Sequence, residues 1–281
     1  MSSRRPQLSN AAVPLTHEVE ILDERGRAST IHIPAERPLT VYVDKRELVT
    51  LMTLGGAPEA LTLGYLRNQR LVKSLDDIES VQVDWAVEAV AVKTRNGIAD
   101  VEERTAKRVV TTGCGQGSVF GGLMDDIDNI VLPPEARLAQ STVYRIVDII
   151  RTQQSIYKQA GSVHGCALFS SDGELLYFIE DVGRHNAVDA IAGLMWLDGI
   201  GGADKVFYTT GRLTSEMVIK GAQMGIPFLL SRSGTTQMGH MVAGNVGMTL
   251  LARCTGKHFL ALAGSERLDF EPHLFEAAAT A

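Results

Sequence analysis

From Val163 onwards, short apolar runs and helical stretches alternate, and this alternation restricts the fold more than any other feature of the chain. The runs are VHGCALFS, LLYFIE, KVFYTT, PFLLS and FLALA; a Ser-Asp-Gly turn joins the first two, and helical patterns over 186–197, 214–224 and 236–248 separate the others. Near-continuous apolar strands separated by helices predict a layered α/β domain, because a helical crossover lets successive strands lie parallel. Before them, STVYRIVDIIRTQQSIYKQ (141–159) carries Val143, Ile146, Ile149, Ile150 and Ile156 on one helical stripe behind a Ser141 or Thr142 cap. A new unit is expected to start there.

Upstream, the period is mostly that of strands. EVEILDERGRASTIHIP (18–34) shows two alternating runs around Glu24-Arg25-Gly26, TVYVD (40–44) adds a third, and SVQVDWAVEAVAVKTR (80–95) reads as a strand pair. Between them PEALTLGYLRNQR (58–70) reads as a helix opened by Pro58. The expected plan is a disordered tail over 1–17, a smaller α+β domain over 18–140 that includes the Cys114 loop, and an α/β domain over 141–281. No apolar run follows the two arginines of the opening MSSRRPQLSN, and none elsewhere reaches membrane-span length, so the expectation is a cytoplasmic protein with no membrane association. A formal net charge of -6 argues against a general nucleic-acid binder.

Three polar clusters follow predicted strands: Glu180-Asp181-Val182-Gly183-Arg184-His185-Asn186, Thr210-Gly211-Arg212-Leu213-Thr214-Ser215-Glu216 and Ser231-Arg232-Ser233-Gly234-Thr235-Thr236. Singly, each reads as a turn with a solvated charge and a helix cap. Together they place Arg184, Arg212, Ser231 and Arg232 at strand ends, where guanidinium forks and helix N-termini suit a phosphate-rich anion.

Three cysteines at irregular spacing do not make a disulfide framework. Cys166 and Cys254 lie in apolar runs and are assigned to packing. Cys114 differs: TTGCGQGS (111–118) surrounds it with glycines at 113, 115 and 117, which suits a presented, reactive thiol. His164-Gly165-Cys166 lacks the glutamate and the Pro-Cys-x-x-Cys that zinc deaminases need, and His240 and His258 have no partners at ligand spacing, so no metal site is expected.

EDVGRHNAVDAIAG (180–193), TTGRLTSEMVIKGAQMGIPFLLSRSG (209–234), TTGCG (111–115) and LGYLRNQRLV resemble, in family order, the formate dehydrogenase accessory sulfurtransferase family, FdhD, over about residues 35 to 268. The resemblance implies a homodimer with a cytidine-deaminase-like C-terminal domain, a smaller N-terminal α+β part and no catalytic zinc. It implies sulfur transfer, as a persulfide on Cys114, from a cysteine desulfurase to the molybdenum (or tungsten) bis-guanine-dinucleotide cofactor of the formate dehydrogenase catalytic subunit. It also assigns Arg253, Cys254, Thr255, Gly256, Lys257 and His258 to cofactor holding, with Lys257 and His258 as polar contacts. Many members carry Cys-x-x-Cys in the loop, whereas Gly117 stands at the fourth position here. A cofactor-binding and insertion chaperone without sulfur transfer is the alternative.

Overall fold

The computed structural model describes residues 5–97, 127 and 129–276. Cys114 and its glycines lie outside the described residues. The helices used below are α1 (Pro58–Asn68), α2 (Gln140–Thr152), α3 (Ile156–Ala160), α4 (Arg184–Leu197), α5 (Ser215–Gln223) and α6 (Gln237–Val246). The chain packs as two units, one holding the described residues of 1–123 with 154–166 and 179–200, the other those of 124–153 with 167–178 and 201–281. Residues 154–166 and 179–200, placed by sequence in the second domain, thus pack with the first.

The first unit is built on a five-stranded sheet in the order β1-β6-β7-β4-β5. Its strands are β1 (Gln7–Leu8), β4 (Arg37–Val43), β5 (Arg46–Thr53), β6 (Ile78–Asp84) and β7 (Ala89–Thr94). Beside it, β2 (Thr16–Leu22) and β3 (Ala28–Pro34) form the expected antiparallel hairpin, from Thr16 opposite Pro34 to Leu22 opposite Ala28. Asp23 organises its turn by accepting from the amides of Arg25 at 2.8 Å and Arg27 at 2.9 Å. The segment expected as a disordered tail is held from Arg5 onwards. Arg5 donates to the Leu197 carbonyl at 2.9 Å, β1 pairs parallel with β6, and the buried Glu59 carboxylate accepts from Ser9 Oγ at 2.6 Å and the Ala11 amide at 2.8 Å. These are polar ties, and hydrophobic periodicity cannot signal them.

Helix α1 is buried on nearly every side, with Leu61, Leu63, Tyr65 and Leu66 all in the core. Each such side chain contributes roughly 1.5–3 kcal/mol on leaving water. Its partner is α4, and the two cross where both carry glycine: a Cβ on Gly64 would lie 1.7 Å from the Asp189 carbonyl oxygen, and one on Gly193 would lie 1.9 Å from that of Ala60. The buried Asn68 amide donates to Asp189 at 2.7 Å, and Arg67 donates to the Ala192 carbonyl at 3.0 Å while lying over the Trp196 ring.

The second unit carries a sheet in the order β10-β9-β11-β12-β13-β14, to which β9 (His164–Ser170) and β10 (Leu175–Asp181) contribute residues 167–178. The remaining strands are β11 (Lys205–Thr209), β12 (Phe228–Ser231), β13 (Thr249–Thr255) and β14 (His258–Ala263); outside this sheet the short β8 (Leu138–Ala139) pairs parallel with β15 (Leu268–Asp269). β11, β12 and β13 are parallel neighbours, in register from Val206 opposite Phe228 to Thr209 opposite Ser231, and β14 returns antiparallel to β13. Val206 and Tyr208, Phe228 and Leu230, each pair alternating along its strand, and Leu251 and Cys254, three apart across the irregularity in β13, meet Val143, Ile146 and Val147 of α2 in one core. The expected 141–159 helix is two helices: α2 ends at Thr152, and α3 restarts behind Ser155, whose side chain accepts from the Lys158 amide. Among the described residues no helix is long and apolar enough to cross a membrane.

Candidate functional site: an arginine edge on the second sheet

Because β11 and β12 run parallel and in register, the chain leaves both strands at the same edge, and each loop runs directly into a helix. The loops are laced together. Ser231 Oγ donates to the Gly211 carbonyl at 2.6 Å and accepts from the Ser233 amide at 2.9 Å; Leu213 donates to the Gly234 carbonyl at 2.9 Å; Thr236 donates to the Leu213 carbonyl at 3.1 Å. Thr214 caps α5 by position, and Thr236 caps α6 with its side chain, accepting from the Gly239 amide at 3.2 Å. Gly239 is required here, since a Cβ would sit 2.6 Å from the Leu213 carbonyl oxygen. Two helix N-termini, each with the positive end of its dipole, are therefore fixed side by side.

Arg212 and Arg232 are exposed on these loops, and a third arginine joins them from β13: the Arg253 amide donates to the Ser233 carbonyl at 2.8 Å, and Arg253 is also exposed. Among the described residues none of the three is in an ion pair. The edge thus concentrates permanent positive charge, with two forks from the loops and one from the neighbouring strand. Of the sequence candidates, Arg212, Arg232 and Arg253 come together, while Ser231 serves as the buried brace between the loops. Arg253 has φ 54°, a strained backbone that no motif announces.

Arg184 belongs to the first unit, where it is buried at the start of α4. Its cluster is organised by Asp181, a buried carboxylate that accepts from Thr53 Oγ1 at 2.5 Å, Asn186 at 2.9 Å and the amides of Leu54 and Gly183 at 3.3 Å. Burial raises the Asp181 pKa above the usual carboxylate range, against the pull of these hydrogen bonds. Asn186 also donates to the Met52 carbonyl at 2.6 Å, so these two side chains of the EDVGRHN stretch tie β5 to the start of α4.

The Arg253-Cys254-Thr255-Gly256-Lys257-His258 stretch is the β13–β14 hairpin, with Thr255 opposite His258 and Gly256 at φ 54°. Cys254 points into the core, its thiol donating to the Leu251 carbonyl at 3.5 Å, and burial pushes its pKa up to about 12. Lys257 and His258 stand exposed at the hairpin tip. They line an open groove of about 510 Å³ together with Gln140, Tyr144, Phe259, Phe270 and Pro272. Periodicity could not reveal this groove, because its walls come from α2, the hairpin and the segment after residue 269.

Comparison with known proteins places this architecture. Proteins named sulfur carrier protein FdhD match along most of their length: that of Listeria monocytogenes serotype 4b is 30% identical over 238 residues, covering 84% of this chain and 91% of the relative. That of Saccharolobus solfataricus is 29% identical over 256 residues, covering 89% and 96%. A crystal structure described as a formate dehydrogenase accessory protein, from Desulfotalea psychrophila, superposes with a TM-score of 0.72 at 25% identity, covering 91% of this chain and all of that one. With the FdhD/NarQ family model matching residues 34–269, which takes in the arginine edge, the hairpin and the α1–α4 crossing, the chain belongs to the FdhD/NarQ family.

Proposed function

We infer that this protein is a sulfur carrier that serves formate dehydrogenase. Membership of a family whose relatives are named sulfur carrier proteins carries this reading. In the loading step the Cys114 thiolate attacks the terminal sulfur of a persulfide on a cysteine desulfurase. The S–S bond of the donor breaks, its cysteine leaves as thiolate, and a persulfide forms on Cys114. One thiol suffices, so Gly117 in place of a second cysteine does not block loading. The recipient is the molybdenum (or tungsten) bis-guanine-dinucleotide cofactor of the formate dehydrogenase catalytic subunit. A homodimer with cytidine-deaminase-like layering in its second unit belongs to the same reading.

The arginine edge supports the cargo half of this proposal, since a dinucleotide brings pyrophosphates that fit paired guanidinium forks above helix N-termini. Arg212→Ala and Arg232→Ala are each expected to weaken GDP binding about tenfold, the effect of one charge-assisted hydrogen bond. Calorimetric titration reads this directly; unchanged affinity in both variants would make them solvated surface charges.

Mass spectrometry after incubation with a desulfurase and cysteine tests the sulfur half. Cys114 should gain the mass of one sulfur atom, and Cys166→Ser and Cys254→Ser should load like the wild type, because both thiols are buried. Loss of loading in either serine variant, with the fold retained, would move the carrier to that thiol. The missing second cysteine favours one other reading, a chaperone that binds and inserts the cofactor without carrying sulfur.

A further inference from the structure

The β2–β3 hairpin lies ahead of the span that the family model matches, which begins at residue 34. Its register sets His17 opposite Ile33 and Val19 opposite Ile31, so Val19, Ile21, Ile31 and Ile33 lie together on one face. The other face carries Glu18, Glu20, Thr30 and His32, the alternation of a sheet with one side covered. That covering is incomplete. Helix α3 packs against β3, yet Ile31 and Ile33 remain 44% and 39% exposed. A two-stranded hairpin is marginal in water by itself, and exposed isoleucines along one face of it mark a surface that something else covers.

At the foot of this face the apolar strip opens into a groove of about 440 Å³. It is lined by His17 and Ile33 from the hairpin, by Glu36 and Arg37 around the start of β4, and by Trp85 and Glu88 between β6 and β7. Arg37 is fixed there: it donates to the Ala35 carbonyl at 3.3 Å and to the Pro14 carbonyl at 2.7 Å, and its guanidinium lies 5.5 Å from the centre of the Trp85 ring. Glu36 and Glu88 are exposed and form no ion pair among the described residues. The groove therefore offers two free carboxylates against one guanidinium already held by carbonyls and a ring.

Beyond the sulfur-carrier reading and independent of it, we propose that this face docks an extended, basic segment of a partner protein. Apolar side chains on one side of the segment cover Ile31 and Ile33, and a neighbouring lysine or arginine reaches Glu36 and Glu88. A second copy of this chain fits less well, because two such faces brought together would place the carboxylates of both copies in one interface.

Fluorescence anisotropy on the full chain tests this, with a labelled peptide of about eight residues alternating valine and lysine as the probe. It should bind with a Kd below about 1 mM, and the same peptide with glutamate for lysine should bind at least about tenfold more weakly. Ile31→Ser combined with Ile33→Ser should weaken the lysine peptide about tenfold or more, through lost apolar cover. Glu36→Gln combined with Glu88→Gln should weaken it about fivefold, the effect of two exposed ion pairs. Glu20→Gln, on the other face of the hairpin, should change nothing and controls for general attraction to an acidic chain. All five residues are exposed, so these variants keep the fold. Failure of the wild type to bind would overturn the proposal, as would unchanged affinity in the isoleucine variant. Equal affinity for the two peptides would overturn it too, and so would equal losses in Glu20→Gln and the Glu36→Gln, Glu88→Gln variant. Light scattering addresses the other occupant: a wild-type dimer that becomes a monomer in the isoleucine variant would give the face to a second copy and overturn the proposal, whereas an unchanged mass supports it.

Discussion

Cys114→Ala is expected to leave the client formate dehydrogenase at the activity of cells lacking this protein. The two remaining thiols cannot take over. Cys254, with its pKa near 12, is thiolate in only about one molecule in 10⁵ at pH 7, and the thiolate is the attacking species. Cys166 is fully buried, and its sulfur lies 3.9 Å from the Arg184 carbonyl. Cys114→Ser should fail equally, since an alkoxide cannot stand in for a thiolate at neutral pH. The decisive comparison is with the arginine edge. If Cys114→Ala supports full client activity while Arg212→Ala and Arg232→Ala lose it, the carrier step is wrong and the insertion-chaperone reading replaces it.

The parts of this protein legible in its sequence are those governed by local period. The β2–β3 hairpin, α1, the β6–β7 pair and, from β9 to β14, every strand but β13 follow from apolar spacing and turn residues; β13, which carries Arg253, has no counterpart among the runs read from the sequence. β5 is not legible, because its hairpin with β4 turns on Asp44-Lys45, both at positive φ, in place of the Asn-Gly or Asp-Gly signal such a turn usually carries. The tail misleads for a related reason: β1 is two residues long and is held by Glu59 and Arg5. Parallel order puts Arg212 and Arg232 on one edge, as strand-end reasoning expects. The same reasoning cannot tell that Arg184 packs in the other unit, nor that Arg253 reaches the edge through its backbone bond to Ser233. Both depend on which strands become neighbours, and nothing in a strand's own pattern encodes its neighbour.

Gly64→Ala is expected to be the most destabilising single methyl group in the first unit. Helix propensity alone would favour alanine by about 1 kcal/mol. The crossing reverses that sign, because the new Cβ would stand 1.7 Å from the Asp189 carbonyl oxygen, well inside van der Waals contact and against backbone that no rotamer change can move. Separating α1 from α4 by the required distance would open the Asn68–Asp189 hydrogen bond and the seat of Arg67 on Ala192 and Trp196, exposing groups that are now buried and paired. A loss above about 4 kcal/mol follows from such a combination of overpacking and broken buried bonds, enough to leave little soluble protein. Gly193→Ala, at 1.9 Å from the Ala60 carbonyl oxygen, should behave alike. Gly244 supplies the control: it is also helical, in α6, but exposed, and a methyl group added there would meet no atom within 4 Å, so Gly244→Ala should raise stability by up to about 1 kcal/mol. Urea midpoints for the three variants, with soluble yield where no folded protein is recovered, decide the matter. A Gly64→Ala variant as stable as the wild type would mean that α1 and α4 do not cross at their glycines.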